Sequence, residues 1–198
     1  MSPFELVFAV YGLLLGLSIA EVLGGFSRTL KLKRGARPVR IGWLTPLLGI
    51  LVVLDLTTFW LIAWEARDQI SANYLTLFGV LAIVGTYYLA ATLIFPEDPT
   101  EWPDFDEWYD KQNRMVIGGL LAANVGSWIG QIGLEISKPT PDAELAMSDA
   151  EMVVVWAGVV VFALLVALLK VKSRKWNVAL LVTVIALLLV FGIAEEFV

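Results

Sequence analysis

Six apolar runs, each close to the roughly 20 residues a helix needs to cross about 30 Å of hydrocarbon, divide this chain and leave only short polar connections between them. They cover residues 4–26, 41–64, 74–95, 115–134, 152–169 and 178–194. A fold in water has no way to hide so much apolar side chain in 198 residues. Hydrophobic residues make up 59% of the chain and charged residues 17%, against about 45–50% and 25% in an ordinary soluble domain. The runs lack the strict alternation of membrane barrel strands, and a helix satisfies its backbone groups within its own segment. The expectation is an all-α fold: one transmembrane domain, 1–198, built as a bundle of six transmembrane helices.

Local signals mark the ends. The first run has no basic leader and no small-residue cleavage site, so it reads as a retained span rather than a signal peptide. In the second, Thr45-Pro46 looks like an N-cap followed by proline at the first helical position, which would start the helix at Pro46. The third run stops at Pro96. Ser148-Asp149-Ala150-Glu151 fits a capping box ahead of the fifth, and the basic turn from Lys170 to Lys175 leads into the sixth.

Charge sets the orientation. Loops one, three and five carry Arg28, Lys31, Lys33, Arg34, Arg37, Arg40, Lys111, Arg114, Lys170, Lys172, Arg174 and Lys175, while the opposite side has only Arg67 and Lys138. Cytoplasmic loops are enriched in Lys and Arg, so the odd-numbered loops are expected inside and both termini outside. Tryptophan supports these depths. Trp43, Trp102, Trp108 and Trp176 fall near the inner interface and Trp60, Trp64 and Trp156 near the outer one, leaving Trp128 deep.

The chain has no Cys and no His. That removes disulfides, thiolate nucleophiles, imidazole bases and His-ligated haem or zinc. No phosphate loop, nucleophile elbow or HExxH sequence occurs, so the reading is of a non-enzyme without a cofactor or metal. Two spans carry small residues at four-residue intervals: Gly12, Gly16, Ala20 and Gly24 in the first, and Gly118, Ala122, Gly126 and Gly130 in the fourth. Such stripes let helix backbones approach closely, which places these two helices at the bundle centre. The stripes serve either packing alone or a sliding, gating surface. The nearly all-aliphatic fifth and sixth spans suit the lipid-facing perimeter.

Polar residues inside the spans are the candidates for function. Asp55 falls near the midplane of the second span, where a charge costs on the order of 3 kcal/mol on insertion scales. Its carboxyl should be protonated, paired or facing a wet cavity. Asn124 in the fourth span lies at comparable depth and can reach it. Glu21 sits one and a half turns inside the cytoplasmic end of the first span, on the face shared with Ser18, Gly25 and Arg28. Its partner is either Arg28 or a residue on another helix. Tyr11, Tyr87, Tyr88 and Gln131 complete the set, and Glu5 reads as solvated at the outer interface. Asp55 and Glu21 are either structural clasps or proton, ion or ligand sites.

Loop three, from Pro96 to Arg114, interleaves seven acids with Trp102, Phe105, Trp108 and Tyr109. It reads as an interfacial helix capped by Asp104 and running into the fourth span, with the aromatics dipping into the interface and the acids in water. A docking surface for a basic partner or a weak cation site are the alternatives, although Asp104-x-Asp106 lacks the glycine and spacing of an EF-hand loop. The basic first loop enforces topology or touches anionic headgroups. With three helices in each half, two inverted repeats are also permitted.

The Gly16-Leu17-Ser18-Ile19-Ala20-Glu21 segment before a basic loop, the Trp-rich second span and the Phe95-Pro96-Glu97 step together resemble a loose class of uncharacterised six-helix bacterial inner-membrane proteins. The resemblance touches about the first two thirds of the chain. It implies a multi-pass inner-membrane protein and no activity. The leading functional expectation is an accessory, assembly or sensory membrane subunit whose partners are the lipid bilayer and either another membrane protein or a second copy of the chain, with no nucleic acid. The alternative is a small proton- or cation-coupled transporter or channel using Asp55 and Glu21. A lipid-modifying enzyme working through the acidic loop comes a distant third.

Overall fold

The computed structural model describes residues 3–33, 39–98, 101–137 and 149–194. It is all-helical: α1 (Pro3–Lys33), α2 (Leu44–Glu65), a short 3-10 turn (Ala66–Asp68), α3 (Tyr74–Thr92), α4 (Phe105–Ser137), α5 (Asp149–Lys170) and α6 (Arg174–Ala194). No strand forms among the described residues. Five of these helices, α1 to α4 and α6, are long and apolar enough to cross a membrane, and α5 contributes a shorter apolar stretch, Val155–Lys170. Ser148 of the expected capping box lies outside the described residues.

The start of α2 differs from the sequence expectation. The helix begins at Leu44, after Trp43, and Pro46 sits within the first turn, where a missing N–H costs nothing. Thr45 is not the cap. Its hydroxyl donates to the Phe105 carbonyl at 2.8 Å, and the free Leu44 N–H is met at 3.4 Å by Asp106 Oδ1. The cap comes from another helix. Gly42 makes that approach feasible, since its φ of 60° and missing side chain leave room where a Cβ would strike the Asp106 carboxyl.

α3 itself stops at Thr92, short of the expected Phe95: Leu93 and Ile94 turn back to the Ala90 and Ala91 carbonyls at 3.2 and 3.3 Å, and Pro96 disfavours helical geometry at Phe95. The Leu93 and Ile94 carbonyls left free there accept from Trp108 Nε1 at 3.1 and 3.2 Å.

Loop three runs into the fourth span as one continuous helix, as expected. From Phe105 onward it forms the first turns of α4, with Asp104 as the anticipated cap, its Oδ1 accepting from the Asp106 N–H at 2.9 Å. Phe105 and Tyr109 are buried in the protein core rather than turned to an interface.

The loop between α1 and α2 and the loop before α4 pair through their backbones. Arg40 N–H donates to the Pro103 carbonyl at 2.7 Å and Phe105 N–H to the Arg40 carbonyl at 2.9 Å. Side chains extend the contact to the α5–α6 turn. Arg40 meets Asp104 at 3.4 Å and Arg174 meets Asp110 at 2.6 Å, while Tyr109 donates to Asn177, whose amide holds the Val171 and Ser173 carbonyls. All three basic loops therefore meet at one end of the bundle. At the other end, Gln69 donates to Glu135 at 3.1 Å.

The bundle centre is α2, which packs against α1, α3, α4 and α6, rather than α1 and α4 as the glycine stripes suggested. α2 is apolar on nearly every side, and a helix apolar all round belongs inside. α6, expected at the perimeter, lies along α2 and buries Asn177, Leu181 and Val184. The extensive α1–α3 pairing has no counterpart of similar extent between α4 and α6 among the described residues, so the two halves do not repeat each other.

Of the stripe residues, Gly12 faces Trp60 and Gly126 faces Ile83, but Gly16, Gly118 and Gly130 have open space around them and Gly24 meets only Arg28 of its own helix. The close approaches occur at Gly25, where a Cβ would fall 2.1 Å from the Phe95 ring, at Gly49 against Phe26, and at Gly119 against Ala90.

Candidate functional site

Asp55 is the twelfth of 22 residues in α2 and is only 6% exposed. Its helix carries it to where α3 and α4 converge. Tyr87 of α3, fully buried, donates its hydroxyl to Asp55 Oδ2 at 2.7 Å. Asn124 of α4 brings its amide to the same oxygen at 3.3 Å, to the Tyr87 hydroxyl oxygen at 3.3 Å and to the Leu120 carbonyl at 2.9 Å. The three side chains form a closed triangle linking three helices. The short Tyr87–Asp55 bond is its strong edge, and the longer Asn124 contacts are shared among three acceptors. None of the ion pairs among the described residues includes Asp55.

Tyr11 joins this centre from α1. Its hydroxyl donates to the Phe59 carbonyl, one turn along α2 from Asp55. The Phe59 ring lies between Tyr11 and Tyr87, with centroids 5.6 and 5.1 Å away. Hydroxyl, aromatic ring and carboxyl thus tie α1, α2, α3 and α4 together at mid-depth.

The Asp55–Asn124 contact expected from depth alone is present. Glu21 and Gln131 do not join it. Glu21 accepts from Arg28 at 3.1 Å on the outer side of α1, the two side chains 35% and 48% exposed. Gln131 is exposed and donates to Ser127 Oγ, one turn back on its own helix, at 3.3 Å.

Tyr87, one of several polar candidates in the sequence and not paired there with Asp55, is the decisive donor. A signal was there: Asp55 lies nine positions after Pro46 and Tyr87 nine positions before Pro96, with both prolines at the same end of the bundle.

Two surface grooves, one along α1 near Phe26 and one between α5 and α6 near Trp156, are lined by none of Asp55, Tyr87 or Asn124. Among the described residues no three acidic, His or Cys side chains gather to hold a metal ion. The arrangement can satisfy one buried carboxyl and lock four helices in register. No family model matches this chain, and neither a curated protein nor a solved structure matches it.

Proposed function

We propose that this chain is a six-span inner-membrane protein, with the tied basic loops in the cytoplasm and both termini outside, that works without catalysis as an accessory subunit packing against other membrane components. The observation that carries this reading is the closure of Tyr87 and Asn124 on Asp55. A transporter needs its acidic group on a wet path, whereas here the carboxyl's donors come from the neighbouring helices. Five helices of membrane-crossing length and apolarity support the bilayer setting, and the meeting of three basic loops at one end supports the orientation.

The test is proton and cation flux into proteoliposomes holding the wild type or Asp55→Asn. The expected result is no flux above empty vesicles for either protein. Flux through the wild type that vanishes in Asp55→Asn would instead make Asp55 a transport residue. Orientation has its own check, made clean by the absence of native cysteine. In intact cells a membrane-impermeant maleimide should label Ala72→Cys and leave Ser173→Cys untouched; the reverse pattern would invert the topology.

A further inference from the structure

On α1, Phe26 is turned toward the bundle. Its ring lies edge-on to Phe95 at 5.1 Å, and Gly49, where a Cβ would come within 2.9 Å of that ring, leaves it room to sit so deep. Leu23 and Leu30, about a turn to either side, stand outward at 55% and 62% exposure. Between them opens a groove of about 340 Å³ lined by Leu23, Phe26, Ser27, Leu30 and Lys31.

The groove is apolar along its length and cationic at one end. Lys31 lies eight residues beyond Leu23, about 12 Å along the helix axis, on the side of the tied loops. The neighbouring cation, Arg28, is held by Glu21 at 3.1 Å. None of the ion pairs among the described residues engages Lys31.

We propose that this groove seats an anionic phospholipid, one acyl chain lying on Phe26 between Leu23 and Leu30, and the phosphate resting on the Lys31 ammonium and the Ser27 hydroxyl. The dimensions suit that occupant: an apolar trough a dozen ångströms long ends in an unneutralised cation at headgroup level. A soluble phosphate would use the cation and leave the trough empty, and a zwitterionic lipid would fill the trough without neutralising the lysine. The proposal rests on the membrane reading above.

Two experiments separate the failure of one from the failure of the other. The protein is first floated with phosphatidylcholine vesicles after an alkaline wash; failure to float overturns the membrane reading and this site with it. Native mass spectrometry in detergent then compares retention of phosphatidylglycerol, phosphatidylcholine of the same chains, and glycerol phosphate. Phosphatidylglycerol is expected to be retained over both others. Lys31→Gln should weaken its retention about fivefold, the worth of one lysine at an anionic membrane surface, and Leu23→Trp, which fills the trough and keeps the charge, should weaken it as well. Lys172→Gln, an exposed lysine on the α5–α6 turn, should change nothing. A floating protein that retains both lipids equally, retains glycerol phosphate as well as lipid, or responds equally to Lys31→Gln and Lys172→Gln would overturn the site and leave the membrane reading standing.

Discussion

At the middle of the bundle, Tyr87 and Asn124 close on a carboxyl that is 6% exposed. At the loop end, Arg174 meets Asp110 with the two side chains 42% and 44% exposed, and Arg40 meets Asp104 with the arginine 74% exposed. The end sets full charges against each other at 2.6 and 3.4 Å, and the middle sets only a hydroxyl and an amide against its carboxyl. The weaker-looking chemistry nevertheless matters more, because solvent around the ion pairs offers each partner an equal alternative. Exposed pairs are worth about 0–1 kcal/mol, whereas a buried group stripped of its partner loses about 1–3 kcal/mol. The loop end gains its firmness from backbone instead, through the Arg40 bonds to Pro103 and Phe105 and the Trp108 ring on the end of α3.

Where the two regions adjoin, neither polar set decides stability. Gly25→Ala would drive a Cβ into the buried Phe95 ring, and overpacking of this kind costs about 1–3 kcal/mol. In detergent unfolding titrations it should do more damage than any single substitution in either polar set; a near-neutral result would mean that Phe95 can move aside.

Tyr87→Phe comes next. It removes the short bond to Asp55 and keeps the ring against Phe59, for an expected loss of about 1 kcal/mol, between the roughly 0.6 kcal/mol average for hydrogen bonds among membrane helices and the cost of a stranded buried group. Asn124→Leu should lose less than Tyr87→Phe, since its contacts are longer and shared; the opposite order would make the amide, rather than the hydroxyl, the principal donor.

Arg174→Gln should change stability by no more than about 0.5 kcal/mol, and that difference should shrink between low and high salt. If Arg174→Gln outweighs Tyr87→Phe, the ranking of the two regions is inverted.

The sequence made the helices legible because length and apolarity alone identify them, and the pairing of Asp55 with Asn124 because depth can be counted along a helix. Tyr87 stood among the polar candidates without a partner, because a tyrosine in an apolar run has several uses and only its neighbour's carboxyl selects one. The start of α2 was misplaced because its cap is a carboxylate 62 positions away, Asp106, which no local pattern contains. The glycine stripes misled for a geometric reason. Four residues advance a helix by a little more than a turn, so the stripe drifts about 40° at each step; Gly12 faces Trp60 while Gly16 looks into open space, and the intimate contact passes to Gly25. The aromatics of loop three divide in a way the sequence does not show: Phe105 and Tyr109 enter the protein core, while Trp102 and Trp108 stay half-buried.

The triangle at Asp55 also has a history. Its members lie 32 and 69 residues apart in the chain, and ribosomes add about 5–20 residues per second. On the membrane reading, Asp55 reaches the bilayer roughly 2–6 s ahead of Tyr87 and longer still ahead of Asn124. During that interval the carboxyl is alone, and the leucine- and valine-rich remainder of α2 must carry it across unaided. The high apolarity of this helix is thus a requirement of birth order as much as of the finished bundle, and α3 and α4 arrive to finish what α2 has to begin without them.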